Sequence, residues 1–240
     1  MTDAVIPPID AETQTLFELG AHLGHKKNRL HPKARKFVYK ILNGVSIIDL
    51  TMTVKHLAAA KKILAQYAKD EKVLLVVATK KIAAQYAAEL CGSYNIPYIT
   101  TKWLPGLLTN FDTIIKNVKK MNTYREQKLN GEWEKFVKHE RVNLDKQLSK
   151  LEKFYAGLTN LTKKPDIIFV VDMKKEKNAV NEAAMNNIPV VAIADTNSNP
   201  DSVQYPIVIN DDSALVMQYI IKDIVEAYSE AKIQIQNSKL

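Results

Sequence analysis

The order of apolar and polar residues along the chain predicts a sheet domain of the α/β class. Continuous apolar runs, typical of strands buried on both faces, occupy residues 73–78, 96–100, 166–172, 189–195 and 206–209. Apolar residues at helical spacing alternate with these runs, at 53–69, 81–90, 176–187 and 211–231. Because buried strands alternate with helices, we expect a parallel sheet with helices on both faces.

The pattern is less regular upstream of this sheet. Residues 1–14 include Pro7 and Pro8, which block regular structure and predict a loose arm. Residues 16–23 could form a short helix. Two apolar stretches, 37–41 and 46–50, flank the dipeptide Asn43-Gly44, in which both positions tolerate a positive φ. This arrangement predicts a β-hairpin.

Residues 110–160 interrupt the alternation because they contain no strand pattern. Apolar residues recur at steps of four and three on both sides of Asn130-Gly131, at Ile114, Val118, Met121, Leu144, Leu148, Leu151, Tyr155 and Leu158. This spacing predicts two helices paired as an antiparallel coiled coil, and the alternative is an extra helix pair packed on the main core. We therefore predict an α/β domain (1–109 and 161–240) with an inserted helical hairpin (110–160).

Composition narrows the possible partners. The 240 residues include 34 Lys or Arg and 26 Asp or Glu, giving a net charge of +8, which favours nucleic acid or an anionic lipid surface. The single Cys91 excludes an internal disulfide and fits a reducing compartment. No apolar run approaches the roughly 20 residues that cross a bilayer. We therefore expect a cytoplasmic protein with a substantial core.

The positive charge is concentrated near the N-terminus, since no acidic residue occurs from Leu19 to Ile48. Solvated surfaces usually mix signs, whereas a block of one sign interrupted by Pro32 suits an irregular loop lying on phosphates. The predicted RNA contacts here are His22, His25, Lys26, Lys27, Asn28, Arg29, His31, Lys33, Arg35 and Lys36. A plain solvated loop is one alternative. A lipid surface is another, although the stretch lacks an amphipathic apolar face.

Two further features bear on ligands. The histidines of the basic stretch lack the thiolates or carboxylates that would complete a set of four metal ligands, so we predict no metal. The loop at Thr79-Lys80-Lys81 follows a strand, where α/β sheets bind ligands, but it lacks the glycines of a nucleotide site. We therefore predict no cofactor and no small-molecule substrate, and assign Lys80 and Lys81 to RNA phosphates.

Asp172 and Asp195 are the best indication of an enzyme, because carboxylates at strand ends can hold Mg²⁺ or act as acid and base. However, two lysines closely follow Asp172, and Asp195-Thr196-Asn197 suits a turn or helix cap. No set of nucleophile and base accompanies them. We predict that the chain is not an enzyme, and keep a Mg²⁺-dependent or phosphate-binding α/β enzyme as the alternative.

The turn at 101–111 contains Trp103, one of two tryptophans in the chain. Core packing at the base of the hairpin is the first interpretation of this side chain, and contact with RNA is the second. The further predicted RNA contacts are cations and polar residues near this turn and the strand ends: Lys102, Trp103, Thr109, Asn110, Lys116, Lys119, Lys120, Lys174 and Lys175.

Nine short motifs occur in an order that resembles the ribosomal protein S2 family, from about Leu16 to Tyr228. They are Gly20-Ala-His-Leu-Gly24-His25, Asn43-Gly44 with Ile47-Ile-Asp-Leu, Thr79-Lys80-Lys81, Trp103-Leu104 with Leu108-Thr-Asn-Phe111, Pro165-Asp166 with Val170-Val-Asp172, Lys174-Lys-Glu176, Ile188-Pro-Val-Val-Ala-Ile193, Asp195-Thr-Asn197 and Asn210-Asp-Asp212. Each motif alone is weak, but their order, with the insertion in the right place, is specific.

The resemblance implies a flavodoxin-like sheet with a coiled-coil hairpin, on the solvent side of the small ribosomal subunit. It also implies small-subunit ribosomal RNA and neighbouring ribosomal proteins as partners and, in many bacteria, a role in docking ribosomal protein S1. Three sites depart from the family pattern: Leu30, often Trp in bacterial members; Pro105, in place of a glycine; and Val208-Ile209, in place of Pro-Gly. The last two departures change loops.

Overall fold

The structure is a computed structural model that describes residues 10–238. Its first elements are α1 (Ala11–Glu18), β1 (Leu23–Lys26), β2 (Val38–Leu42) and β3 (Val45–Ile48). Strand β3 pairs antiparallel with both others, so the small sheet has the order β1-β3-β2. The predicted hairpin is confirmed, and its turn residues Asn43 and Gly44 have φ values of 50° and 78°.

Two predictions for this N-terminal part were wrong. Residues 11–14, assigned to a loose arm, are helical, and the helix predicted for 16–23 ends at Glu18. The chain turns at Gly20, where φ is 79°, and then enters β1, which short-range periodicity did not indicate. Residues 1–9 of the predicted arm lie outside the described residues.

The larger elements follow in chain order as α2 (Leu50–Lys69), β4 (Leu74–Val77), α3 (Lys81–Ser93), β5 (Tyr98–Ile99), α4 (Phe111–Leu129), α5 (Lys138–Tyr155), β6 (Ile167–Val170), α6 (Lys177–Met185), β7 (Val190–Ala194), β8 (Tyr205–Val208) and α7 (Ala214–Ser238). The last five strands form one parallel sheet in the order β5-β4-β6-β7-β8. Counted within that sheet, the order is 2-1-3-4-5, as in flavodoxin-like folds.

Both faces of the parallel sheet are covered, because alternate residues of each strand enter opposite cores. Leu74 and Val76 of β4 pack in a cluster with α2, α3 and α7, whereas Leu75 and Val77 pack in a second cluster with α6 and the start of α4. This double burial explains why the strands appear in the sequence as continuous apolar runs.

Some boundaries differ from the predictions. Helix α3 continues through Cys91 and Gly92, the predicted stop, and ends at Ser93. Strand β5 is only two residues long. Helix α7 begins at Ala214, because Asp211 and Asp212 belong to the preceding loop, where they take part in the contacts described below.

The segment 110–160, predicted to be an insertion, contains helices α4 and α5, joined through a 3₁₀ helix at Glu132–Lys135. The two helices run antiparallel. Arg125 Nε lies 2.7 Å from Glu152 Oε1, and Lys128 Nζ lies 2.7 Å from Asp145 Oδ1. Their apolar residues divide between two clusters. Ile114 and Val118 pack with the sheet domain, whereas the distal residues Met121, Trp133 and Leu148 form a separate cluster.

Candidate nucleic-acid interface

The basic stretch is folded onto the sheet domain, although its composition predicted an irregular loop. After β1 it forms 3₁₀ helices at Lys27–Arg29 and Pro32–Phe37, in which Ala34 and Phe37 are buried. Several of the side chains predicted to contact RNA are exposed in this stretch: Lys26, Lys27, Asn28, Arg29, Lys33, Arg35 and Lys36. The stretch therefore presents its cations from an anchored backbone.

The anchor is the loop that follows β7. The backbone N–H of His31 donates to the carbonyl oxygen of Thr196 at 2.8 Å, and that of His25 donates to Thr196 Oγ1 at 2.9 Å. Gly24 makes this approach possible, because a Cβ there would lie 2.6 Å from Thr196 Cγ2. A side chain at position 24 would therefore push the basic stretch away from the sheet.

His25 connects the basic stretch to the residues at the strand ends. Its Nδ1 lies 2.9 Å from Asp195 Oδ2, and its Nε2 lies 2.8 Å from Asn197 Nδ2. The side chain is 16% exposed, and both ring nitrogens have protein partners. The structure assigns His25 a folding role first, and its predicted contact with RNA stays a prediction.

The other two histidines of the stretch also have local roles. His22 stacks on Phe17 with ring centroids 4.2 Å apart, and burial lowers its pKa despite an opposing backbone hydrogen bond at Phe17. His31 Nδ1 accepts a hydrogen bond from the backbone N–H of Lys33 at 3.2 Å and caps the second 3₁₀ helix. Neither residue joins a set of metal ligands among residues 10–238.

Lys80 lies among carboxylates at the carboxyl ends of the strands, not on an open surface. Its Nζ is 2.8 Å from Asp211 Oδ1, 2.9 Å from Asp212 Oδ1 and 3.8 Å from Asp172 Oδ2. Burial opposes the charge on Lys80, but the two closer carboxylates outweigh burial and raise its pKa. Lys81, at the start of α3, is exposed. Sequence position alone could not separate these adjacent lysines.

The strand-end aspartates are occupied by turn contacts. Asp172 has φ 68°, and its Oδ1 accepts from the backbone N–H groups of Lys174 and Lys175 at 3.1 and 3.0 Å. Asp195 is 1% exposed and accepts from the backbone N–H and hydroxyl of Thr196, besides its contact with His25. Both carboxylates therefore stabilise the local turns by accepting hydrogen bonds from backbone N–H groups, as capping carboxylates do.

Trp103 is a core residue. Its side chain is 6% exposed and packs with Leu104 and Leu107, and its Nε1 donates to Glu182 Oε1 at 3.0 Å. The structure agrees with the core-packing interpretation of this tryptophan. The predicted contacts beside it, Lys102, Thr109 and Asn110, are exposed.

The remaining predicted contacts are exposed lysines. Lys116, Lys119 and Lys120 lie on α4, and Lys120 Nζ lies 5.3 Å from the centroid of the Tyr124 ring. Lys174 and Lys175 lie after β6, where Lys175 Nζ also donates to the carbonyl oxygen of Thr79 at 2.8 Å.

Sequence reasoning missed Glu182, the partner of Trp103, because a lone Glu on a helix gives no indication that it contacts a distant loop.

The family described as Ribosomal protein S2 matches residues 16–231 of the chain. Small ribosomal subunit protein uS2 of Helicobacter hepaticus is 39% identical over 217 residues, which cover 90% of this chain and 82% of that protein. The uS2 proteins of Wolinella succinogenes and Sulfurimonas denitrificans are each 38% identical over 90% of this chain, covering 80% and 84% of their own lengths. Within residues 10–238, no helix has the length and apolar character needed to span a membrane.

Proposed function

The chain belongs to the ribosomal protein S2 family, and we propose that it binds small-subunit ribosomal RNA through its folded basic stretch. As a member of that family it is a structural, non-enzymatic constituent of the small ribosomal subunit. One observation carries the proposal: the exposed cations between Lys26 and Lys36 project from a backbone fixed to Thr196. An anchored backbone lowers the entropy lost when these side chains meet phosphates.

The cations of the stretch differ in their availability. Lys36 Nζ lies 2.6 Å from Asp201 Oδ1, and Lys33 Nζ lies 3.9 Å from Asp201 Oδ2. Lys26, Lys27, Arg29 and Arg35 have no ion pair within the described part of the chain, and we propose them as the main phosphate contacts. Neutralising a phosphate releases bound counterions, so each such contact makes binding more dependent on salt.

The test compares binding of small-subunit RNA by the full chain and by a variant with Lys26, Lys27, Arg29 and Arg35 changed to Ala. Affinity should be measured between 50 and 200 mM salt. If four phosphate contacts are lost, the slope of log affinity against log salt should decrease by roughly 3. A charge-matched control changes four exposed lysines on α2 and α7 to Ala, namely Lys62, Lys69, Lys222 and Lys232. Equal slopes for the variant and the control would refute the proposal.

The proposal extends to the helix pair. We propose that α4 and α5 form an antiparallel coiled-coil arm whose Lys116, Lys119 and Lys120 continue the RNA interface. The antiparallel contacts and the separate cluster of Met121, Trp133 and Leu148 support this. The domain boundaries at residues 110 and 160 belong to the same proposal, since the helix pair begins at Phe111 and ends at Tyr155.

The family gives the surroundings of the chain. The relatives named uS2 are small-subunit proteins, so this chain has the RNA and proteins of that subunit as its surroundings. We further propose a cytoplasmic location and, as the finer partner, ribosomal protein S1. Sedimentation of a lysate should show the chain with small subunits. Subunits lacking the chain should also lose S1, and retention of S1 would refute that part alone.

A further inference from the structure

We propose that Glu182 is a positioning residue that fixes the root of the α4–α5 arm and so orients its lysines for RNA. The inference rests on the proposed function, since it concerns how that interface is held. Glu182 lies on α6, on the sheet domain, and is partly buried. The residues that it contacts lie in the turn that leads from β5 into α4.

One carboxylate accepts three hydrogen bonds from this turn. Oε1 accepts from Trp103 Nε1 at 3.0 Å and from the backbone N–H of Gly106 at 2.8 Å, and Oε2 accepts from the backbone N–H of Leu108 at 3.1 Å. Bonds to an ionised acceptor are stronger than neutral ones. Gly106 has φ 87°, which glycine adopts without strain, so the turn can present the Gly106 N–H to Glu182 Oε1.

The second root of the arm is held differently. Gly157, just after α5, packs so closely on Tyr98 that a Cβ there would lie 2.3 Å from the Tyr98 carbonyl oxygen. Thr101 Oγ1 also donates to the carbonyl oxygen of Lys153 at 2.7 Å. The α5 root is therefore fixed by close packing, whereas the turn before α4 is held by its buried apolar side chains together with the three hydrogen bonds to Glu182. Loss of the carboxylate should loosen this turn while the α5 root keeps its contacts.

The consequence for binding follows from the position of the lysines. Lys116 lies on the second turn of α4, and Lys119 and Lys120 follow on the next, so all three lie close to the turn that Glu182 holds. If that turn is loosened, their phosphate contacts must be ordered during binding, which weakens it. The basic stretch is anchored at Thr196 and should be unaffected.

The test uses the full chain and a double-mutant cycle. We expect Glu182→Ala to reduce affinity for small-subunit RNA about tenfold. Changing Lys116, Lys119 and Lys120 to Ala should also weaken binding. Adding Glu182→Ala to that triple variant should then cost almost nothing further, because the arm lysines proposed to contact RNA are already absent. Asn181→Ala, an exposed change on the same helix, is the control and should bind normally.

Hydrogen exchange reports on the root directly. Exchange at the amides of Gly106 and Leu108 should accelerate in Glu182→Ala, while the amides of Leu75 and Ile168 stay protected. If the Ala variant does not fold, Glu182→Gln carries the test, since it keeps the size of the side chain but presents an NH₂ group to one of the three donors. A purely structural role predicts losses that add to those of the triple variant, which would overturn the proposal.

Failure of the proposal can be told apart from failure of the proposed function. If the triple lysine variant binds RNA normally, the arm has no contact to position and the role of Glu182 is refuted. The basic stretch would still stand as the RNA interface if its own variant changed the salt slope. If the triple lysine variant binds RNA normally and the basic-stretch variant leaves the salt slope unchanged, both proposals are refuted.

Discussion

Asp195 Oδ2 lies 2.9 Å from His25 Nδ1, and this contact joins the basic stretch to the end of strand β7. The carboxylate is 1% exposed and also accepts the hydroxyl and backbone N–H of Thr196. Thr196 in turn accepts the backbone N–H of His25 and of His31. Asp195, which favoured the enzyme alternative, thus anchors the basic stretch that we propose as the RNA interface.

We therefore expect the two strand-end aspartates to respond differently to amide substitution. Asp195→Asn places an NH₂ group against donors in a buried site and should destabilise the fold by about 1–3 kcal/mol. Asp172→Asn should change stability by less than about 0.5 kcal/mol, because Asn tolerates positive φ and retains an acceptor for Lys174 and Lys175. Urea unfolding of both variants measures this, and equal losses would contradict the assigned roles.

The distal half of the arm should be a local unit of stability. Leu148 is 4% exposed and packs with Met121 and Trp133, away from the sheet clusters. Leu148→Ala should cost about 2–5 kcal/mol locally, with increased hydrogen exchange in α4 and α5. Val142→Ala, an exposed change on the same helix, is the control. Equal loss of protection in β4 and β6 would show that the arm belongs to the main core.

Acid should stabilise the native state through Asp211. Burial raises the pKa of this carboxyl to about 6, in spite of Lys80, which lowers it. Because the folded pKa lies above the unfolded value, the native state binds the proton more tightly, and its free energy of unfolding rises as the pH falls through 6. Between pH 7 and 5 the wild type should gain about 1 kcal/mol that Asp211→Asn lacks.

Asp212 offers a matched control for that measurement. Its hydrogen bond to Lys80 lowers its pKa, so it remains ionised in both the folded and unfolded chains between pH 7 and 5. The difference in stability between Asp212→Asn and the wild type should stay constant across this range. A constant difference for Asp211→Asn as well would show that its carboxyl does not titrate near pH 6.

Cys91 should be inert in the folded chain. Its side chain is fully buried, and burial raises the pKa of the thiol to about 12, so almost no thiolate forms near neutral pH. Labelling by a disulfide reagent should be slower than in denaturant by more than about a hundredfold. Rapid labelling of the native chain would mean that α3 separates from the sheet.

The sequence by itself determined the features that depend on local order. Continuous apolar runs located the five strands of the parallel sheet, because a strand buried on both faces requires apolar residues at consecutive positions. Helical spacing of apolar residues located the helices between them. Asn43-Gly44 located the hairpin through its positive φ. Charge of one sign between Leu19 and Ile48 identified the basic stretch, since charge is a property of composition and needs no fold.

Only the tertiary structure decided which of the residues predicted to contact RNA are exposed and which already have partners in the protein. Lys80 and Lys81 are neighbours in sequence, yet the first lies among carboxylates and the second is exposed. His25 contacts Asp195, and Trp103 contacts Glu182, across large separations along the chain. Such partners meet because strands from distant segments end at one edge of the sheet or pack beneath one helix. Local periodicity records which face of an element is buried, but it does not record what lies against that face.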